Sequence, residues 1–418
     1  MATIDTAAGE TARLPGMAAR RSVPLILVCG SVIALLSLGE RGALGMFLAD
    51  ITAARGWTRE AFSLALALQN LVWGIAMPFT GAMADRYGTA RVLAIGGVLY
   101  AIGLAGSVWA PSPFWLQMTM GVALGLGLAA SSFTIVLAAF GRTVSPAKRT
   151  LAFGLGTAAG SFGMFVFGGL SPALLSSFGF ETALLVFAVL ALLIVPLAIP
   201  LAGRSAVPDS SRAAQSIGAA IREAFGYRSY VLLVFGFFVC GFHVAFILAH
   251  LPPYLDDMGM SVSIGGAAIA LIGLFNILGS LVAGWVGGRW SKPYGLSLIY
   301  LGRSIAIAAF VLTPISSVSV LVFAAVMGLF WLSTVPLTSG LVAVMFGPRY
   351  MATLFGFVFL SHQIGSFLGV WLGGRIYDQT GSYDLLWWMG VALGLFAALV
   401  HLPIRDAPAP EVARPAAA

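Results

Sequence analysis

Long apolar stretches follow one another along most of the chain, and short polar segments separate them. A helix needs about 20 apolar residues to cross the hydrocarbon layer of a bilayer. Twelve stretches are long enough, and they predict spanning helices at 24–50, 60–82, 89–110, 114–140, 149–174, 180–201, 230–250, 263–287, 294–313, 317–341, 351–374 and 383–403. The predicted fold class is an all-α membrane protein with twelve transmembrane helices.

The longest polar insertion divides these helices into two sets of six. We therefore predict an N-terminal tail at 1–21, a six-helix bundle at 22–201, a linker at 202–229, a second six-helix bundle at 230–404 and a C-terminal tail at 405–418. Residues 211–225 of the linker have helical spacing with exposed arginines, which predicts a helix along the membrane surface. The apolar stretch after the N-terminal tail is too long for a signal-peptide core, so it is interpreted as the first spanning helix.

The composition agrees with a membrane protein whose partner is the lipid bilayer. Of 418 residues, 60% are hydrophobic and 9% are charged, whereas about a quarter are charged in a soluble domain. The formal net charge of +7 does not indicate nucleic acid, because the charges lie in short gaps and not on one soluble face. No catalytic set, cofactor motif or metal-ligand cluster is present in the sequence, so none of these is predicted. Cys29 and Cys240 lie inside apolar stretches and are interpreted as packing residues.

The distribution of basic residues predicts the orientation. If twelve helices alternate, all but five of the 22 Lys and Arg residues fall on the side that carries both termini. The exceptions are Arg55, Arg59 and Arg375 on the other side and Arg41 and Arg303 within helices. Because basic residues are retained on the cytoplasmic side, both termini are predicted to lie in the cytoplasm, with the protein in the cell inner membrane.

Two sequence matches indicate that the halves repeat. "GAMADRYGTARVL" begins at Gly81 and "GWVGGRWSKPYGL" begins at Gly284, an offset of 203 residues. "TLAFG" at 150–154 and "ATLFG" at 352–356 agree, with an offset of 202. Repeats related by an axis along the membrane normal build a central cavity in one class of transporters.

The loop "GAMADRYGTAR" resembles the signature loop between helices two and three of the major facilitator superfamily. The positions that match are Gly81, Asp85, Arg86, Gly88 and Arg91. The resemblance implies two pseudo-symmetric six-helix bundles, transport by alternating access, and a cytoplasmic gate that involves Asp85, Arg86 and Arg91. The second copy of the loop has Gly288 at the Asp position, so only the first copy is expected to carry the full charged latch.

Several stretches are similar to the bacterial relatives of the monocarboxylate porter family, among them "ERGALGMFLADI", "HLPPYLDDMGMS" and "FLSHQIGSFLGVWLGGRIYDQTGSYD". Animal members of that family carry an Asp and an Arg one turn apart in helix eight, where this chain has Asn276 and Ser280. Their helix-one Lys aligns with Gly42, next to Arg41. The resemblance implies a small organic anion as substrate, but these departures prevent a residue-by-residue transfer of the lactate mechanism.

Arg41 and Glu40 are adjacent charges deep in the first predicted helix. An arginine keeps its charge and can hold a carboxylate by two parallel hydrogen bonds, so Arg41 is a candidate for substrate binding. The alternative is a structural pair with Glu40, although neighbours on a helix point away from one another. Glu40 is the only carboxylate deep in a predicted span; if desolvated it could carry a proton, and the alternative is a structural role.

Further polar residues in the spans are candidates for the same site. His362 and Gln363 replace Gly160 and Ser161 of the first half, which favours binding or proton transfer by His362 or, alternatively, a hydrogen-bonded structural role. Arg303 either contacts substrate or snorkels or pairs near the cytoplasmic end of its helix. The remaining candidates for substrate binding are His243, Gln363, Asn70 and Asn276, of which the two asparagines could equally bridge helices. His250 is expected at the external mouth, as a gate or a surface residue.

The sequence thus predicts a secondary transporter of a small organic anion, a mono- or dicarboxylate, in symport with a proton. The first alternative is proton-coupled efflux of a hydrophobic drug or metabolite. The drug antiporters of this superfamily have a Gly-Pro pair in helix five, whereas this chain has Pro172 only at the external end, which weakly disfavours export. A more remote alternative is a membrane sensor with a transporter-like body, which would be expected to carry an added soluble domain.

Overall fold

The chain crosses the membrane by helices throughout its described part. The computed structural model describes residues 22–144, 149–203, 217–346 and 351–410. In these ranges eleven helices are long and apolar enough to span a bilayer. One of them, Gly154–Leu201, has 48 residues, about twice what one crossing needs. Its backbone turns at Gly179, where φ is 75°, a conformation that glycine adopts without steric cost. Counted as two crossings, it gives the twelve spans that were predicted.

The spans are numbered in chain order. Spans 1 to 6 are Val23–Arg55, Arg59–Tyr87, Thr89–Val108, Pro113–Thr143, residues 149–178 and residues 180–201. Spans 7 to 12 are Arg228–Asp257, Val262–Gly287, Lys292–Leu312, Ser317–Phe346, Met351–Thr380 and Asp384–His401. The predicted linker contains a helix at Ile217–Gly226, whereas its residues 204–216 and the tails at 1–21 and 411–418 lie outside the described residues.

Each half is held together by glycines that let two spans approach closely. A Cβ atom at Gly163 of span 5 would lie 2.1 Å from the carbonyl oxygen of Leu35 in span 1. The same contact recurs in the second half, where a Cβ at Gly365 of span 11 would lie 2.0 Å from the carbonyl oxygen of Phe238 in span 7. The two pairs are related by the sequence repeat, so the halves pack in the same way. Small residues at such contacts are what helices in a bilayer use to associate.

Gly241→Ala is expected to lower the melting temperature of the purified protein. A Cβ atom at Gly241 would lie 1.7 Å from the carbonyl oxygen of His362, which is backbone and cannot move aside without shifting a span. Overpacking of this kind costs about 1–3 kcal/mol. Gly284→Ala is the matched control, because a Cβ there meets no described atom within 4 Å. Equal melting temperatures for the two variants would contradict the packing described here.

The two halves touch at one end of the molecule and separate at the other. We call the end at which span 1 begins and span 12 ends the termini end, and the opposite end the far end. Towards the far end the halves are in contact, since a Cβ at Gly374 would lie 2.5 Å from Ser63 Oγ and one at Gly168 would lie 2.7 Å from the amide nitrogen of Ala270. At the termini end of the same four spans, a Cβ meets no described atom within 4 Å at Gly81, Gly154, Gly284 and Gly356. The described structure is therefore closed at the far end and open towards the termini end.

Candidate functional site

Arg41 lies at the interface between the two halves, part-way along span 1. Its Nη2 atom donates a hydrogen bond of 2.5 Å to Asn70 Oδ1 of span 2. The guanidinium carbon lies 5.0 Å from the centre of the Trp73 ring, a cation–π distance. Its Nε atom is buried without a partner, and no carboxylate of the described residues lies within ion-pair distance. Arg41 is thus a permanent charge, oriented by span 2, that lacks a counter-ion.

A small cavity adjoins this guanidinium and is lined by both halves. Its volume of ≈ 20 Å³ is room for about one water molecule. The lining residues are Arg41, Gly45, Leu66, Gln69 and Asn70 from the first half and Ala245, Leu248, Ala249 and Val370 from the second. Because spans 1, 2, 7 and 11 all contribute, relative movement of the halves must change the size of this cavity.

A line of hydrogen bonds continues from Asn70 into the second half. The backbone oxygen of Asn70 accepts from Gln363 Nε2 of span 11 at 3.0 Å. Gln363 Oε1 lies 3.0 Å from His362 Nδ1, and since an amide oxygen only accepts, Nδ1 carries the proton. The His362 ring stacks on Phe359 with 5.6 Å between centroids. The structure therefore brings Arg41, Asn70, Gln363 and His362 together, as four of the predicted site residues.

Glu40 does not pair with Arg41. Its side chain is fully buried, and neither carboxyl oxygen has a hydrogen-bond partner among the described residues. Arg41 instead turns to Asn70, as expected for helix neighbours that point in different directions. A buried carboxyl group without a partner is rare and costly. Glu40 is thus available for proton binding, and this role stays a prediction.

Arg303 lies deep in the second half and not at the cavity beside Arg41. Its side chain is fully buried, so the snorkelling alternative is wrong. Span 10 is interrupted between Phe330 and Thr334, which frees carbonyl oxygens from helical hydrogen bonds. The guanidinium donates to two of them: Nε and Nη2 bond Phe330 O at 3.2 and 2.7 Å, and Nη2 also bonds Trp331 O. Backbone freed by a broken helix must be satisfied inside a membrane protein.

Asn276 satisfies the other side of the same interruption. Its Oδ1 atom accepts from the amide nitrogen of Leu332 at 2.9 Å. Its Nδ2 atom donates to Ser161 Oγ of span 5 at 2.9 Å, across the two halves. These contacts correspond to the helix-bridging alternative, while a substrate contact of Asn276 stays a prediction.

The two remaining histidines of the spans bridge helices. His243 Nε2 lies 2.7 Å from the carbonyl oxygen of Gly390 in span 12, and its Nδ1 atom has no partner within the described part of the chain. His250 Nε2 lies 2.8 Å from the carbonyl oxygen of Val370. His250 is fully buried, so the surface reading of it is wrong. Neither residue lines the cavity beside Arg41, and substrate binding by His243 stays a prediction.

A network of charges closes the far end, and the sequence did not reveal it. Arg59, at the start of span 2, bonds both oxygens of Asp257 in the second half at 2.7 and 2.5 Å. It also donates to the hydroxyl of Tyr383 at 2.9 Å and lies 3.8 Å from the centre of the Tyr377 ring. Asp378 accepts from the first amide nitrogens of span 2 at 3.1 and 2.7 Å. We call these five residues the far-end network.

Two features extend the far-end network. Burial raises the pKa of Tyr383, so its hydroxyl stays protonated. The hydroxyl oxygen of Tyr383 lies 3.4 Å from His250 Nδ1. Glu60 accepts from Trp371 Nε1 and Arg375, at 3.0 and 3.3 Å. The one sequence signal for this region was that Arg59 and Arg375 are among the few basic residues away from the termini side. Their partners are hundreds of residues away in the chain, so the pairs could not be predicted.

The predicted gate of Asp85, Arg86 and Arg91 lies at the termini end of spans 2 and 3. The side chain of Asp85 is outside the described residues. Arg86 is exposed, with its guanidinium carbon 5.3 Å from the centre of the Tyr87 ring. Neither arginine forms an ion pair with a described side chain, which agrees with halves that are apart at this end. The latch stays a prediction for the state in which this end closes.

Comparison with known proteins identifies the family. A family model described as the Major Facilitator Superfamily matches residues 30–370. The chain belongs to this superfamily. It is therefore a multi-pass membrane transporter and not an enzyme, and the resemblance drawn from its loop motif is confirmed.

No group of three or more metal-ligating side chains occurs among the described residues.

Three known proteins show what this transporter is similar to. It is 24% identical over 400 residues to the uncharacterized MFS-type transporter YcxA of Bacillus subtilis, with 91% of this chain and 95% of the relative covered. It is 27% identical to monocarboxylate transporter 11 of Mus musculus, with 84% and 80% covered. The structure of the xylose transporter XylE from E. coli in an inward-open conformation superposes with a TM-score of 0.69 at 14% identity, covering 92% and 96%. The last likeness shows the fold alone.

Proposed function

We propose that this transporter moves a small organic anion, a mono- or dicarboxylate, together with a proton across the cytoplasmic membrane by alternating access. The observation that carries the proposal is Arg41, a permanent cation between the halves that is held by Asn70 and has no carboxylate partner among the described residues. The distant similarity to monocarboxylate transporters supports the same class of substrate.

The surroundings of Arg41 favour a ligand over a structural role. A guanidinium offers a rigid fork of donors that matches a carboxylate by two parallel hydrogen bonds. Asn70 and Trp73 orient the group without neutralising it. Arg303, which is fully buried, is by contrast bound to backbone carbonyls. A substrate carboxylate at Arg41 would supply the missing counter-charge when it enters between the halves.

The proton has two proposed carriers near this site, Glu40 and His362. Glu40 has no competing hydrogen bond from any described residue, and His362 lies in the hydrogen-bond line that leads to Arg41 through Gln363 and Asn70. We further infer that the termini end faces the cytoplasm, because most basic residues lie on that side. On this orientation the described state opens inward, and the far-end network is the outer gate.

Uptake into proteoliposomes tests the proposal. The purified protein is reconstituted and offered a panel of labelled mono- and dicarboxylates, with and without an inward proton gradient. At least one carboxylate should accumulate, and the gradient should increase its initial rate of entry. Hydrophobic cations are included in the same assay, because their proton-driven movement without any carboxylate transport would refute the proposal and favour the drug-efflux alternative.

A further inference from the structure

The thiol of Cys240, in span 7, contacts polar side chains from two other spans. Its sulfur lies 3.6 Å from Arg303 Nη2 of span 9 and 3.2 Å from Thr334 Oγ1 of span 10. His362 of span 11 and Tyr300 of span 9 are titratable groups close enough to act on its charge. The sequence alone suggested a packing residue, and the structure places Cys240 instead at the centre of a polar cluster.

The charge of Arg303 requires an explanation that backbone contacts only partly give. Arginine stays protonated in proteins, and a buried cation is expensive unless a counter-charge is near. Among the described residues no carboxylate lies within ion-pair distance of Arg303, and its Nη1 atom is buried without any partner. The carbonyl oxygens of Phe330 and Trp331 supply partial negative charge only. Cys240, in contact with Nη2, is a neighbour that can become an anion.

The repeat shows that this pair is a departure from the first half. An offset of 203 residues relates Ser37 to Cys240 and Tyr100 to Arg303. In the first half the equivalent contact is neutral: the Tyr100 hydroxyl donates to the backbone oxygen of Ser37 at 3.0 Å. The same place in the architecture thus holds two neutral residues in one half and a cation with a thiol in the other. Packing alone does not require that difference.

We propose that Cys240 is held as a thiolate by Arg303 and that the two residues form one proton-binding unit of the transport site. When the unit binds a proton from water, an S–H bond forms at Cys240, and when it releases the proton to water, that bond breaks. No electrons are transferred. The other titratable groups that face the unit are Tyr300 of span 9, His243 of span 7 and His362 of span 11.

The consequence for coupling rests on the proposed function. With the proton bound, the unit carries one net positive charge, because the thiol is neutral and the guanidinium is positive. After proton release the charges of the thiolate and the guanidinium cancel. A positive unit attracts an anion into the site, and a neutral unit avoids the cost of moving an unpaired charge when the empty carrier reorients. Proton binding would then favour anion binding, as symport requires.

Infrared spectroscopy tests the thiolate without any transport measurement. The S–H stretching band reports a protonated thiol directly. In a Cys29→Ser variant Cys240 is the only cysteine, and the band should be absent at neutral pH and appear on acidification or in Arg303→Gln. Arg303→Lys keeps the charge and should keep the band absent, which separates loss of charge from loss of fold. The Cys240→Ser variant is the matched control, because its remaining Cys29 should show the band throughout. A band from Cys240 at neutral pH would overturn the proposal.

Transport of the identified substrate tests the coupling role. Cys240→Ser keeps a small polar side chain but cannot form an anion, so the stimulation of uptake by a proton gradient should be largely lost. Full stimulation in Cys240→Ser would overturn the coupling role. The two measurements are independent: absence of carboxylate transport would sink the proposed function, whereas the infrared result decides the protonation of Cys240 in either case.

Discussion

Arg41→Gln is expected to remove carboxylate uptake, and Arg41→Lys is expected to retain only weak uptake. Glutamine supplies no positive charge, so the substrate carboxylate would be left buried and unpaired between the halves, at a cost of about 3–5 kcal/mol. A loss of that size lowers affinity at least 100-fold, since about 1.4 kcal/mol corresponds to a factor of ten. Lysine keeps the charge and loses the two-pronged geometry, which should raise the apparent KM more than it lowers the maximal rate. The measurement is initial uptake against substrate concentration in proteoliposomes.

Two controls separate binding from structure in this experiment. Arg55→Gln removes an arginine at the far end, where Arg55 lies 3.5 Å from Glu181 in an exposed pair, and it should leave the KM unchanged. Melting temperatures with and without substrate are measured for each variant. If Arg41 had a purely structural role through Asn70 and Trp73, Arg41→Gln would melt early both with and without substrate. A stable Arg41→Gln that transports carboxylates normally would refute the binding role.

Arg59→Gln is expected to open the far end for a larger fraction of the time. Arg59 bonds two oxygens of Asp257 and one of Tyr383 across the halves, and charge-assisted hydrogen bonds of this kind are worth about 1.5–3 kcal/mol each. A loss of about 2 kcal/mol from the closed state would shift the ratio of closed to open far ends about 30-fold. A cysteine introduced at Leu66, which lines the cavity, should then react faster with a membrane-impermeant thiol reagent applied from the far side.

The matched control is Arg375→Gln. Arg375 Nη1 lies 3.3 Å from Glu60 Oε1 across the same contact between the halves. The side chain of Arg375 is 47% exposed, and exposed ion pairs contribute little free energy. The reaction at position 66 should therefore change little in Arg375→Gln, and the parent without the cysteine at 66 gives the background from Cys29 and Cys240. If the cysteine at position 66 is labelled equally fast in Arg59→Gln and in the protein that keeps Arg59, then Arg59 does not hold the far end closed.

The candidate site was partly predictable because its rarest residues are polar groups in apolar spans. Arg41, His362 and Gln363 stood out for that reason, and the structure brings them into one line of contacts. What the sequence could not give is the partner of each group. Arg303 was a candidate for substrate contact or snorkelling, and its actual contacts depend on an interruption of span 10 that no local signal marked.

The sequence by itself determined the twelve spans, the repeat of the two halves and the superfamily. These follow from local properties: the length of apolar runs, the positions of basic residues and a short loop motif. The tertiary structure alone decided which end is closed, that Arg59 joins residues 198 and 324 positions away, and that three spans meet at Cys240. The reason is physical: hydropathy fixes that a helix crosses the bilayer, but the neighbours of each side chain depend on how closely glycines let distant spans pack.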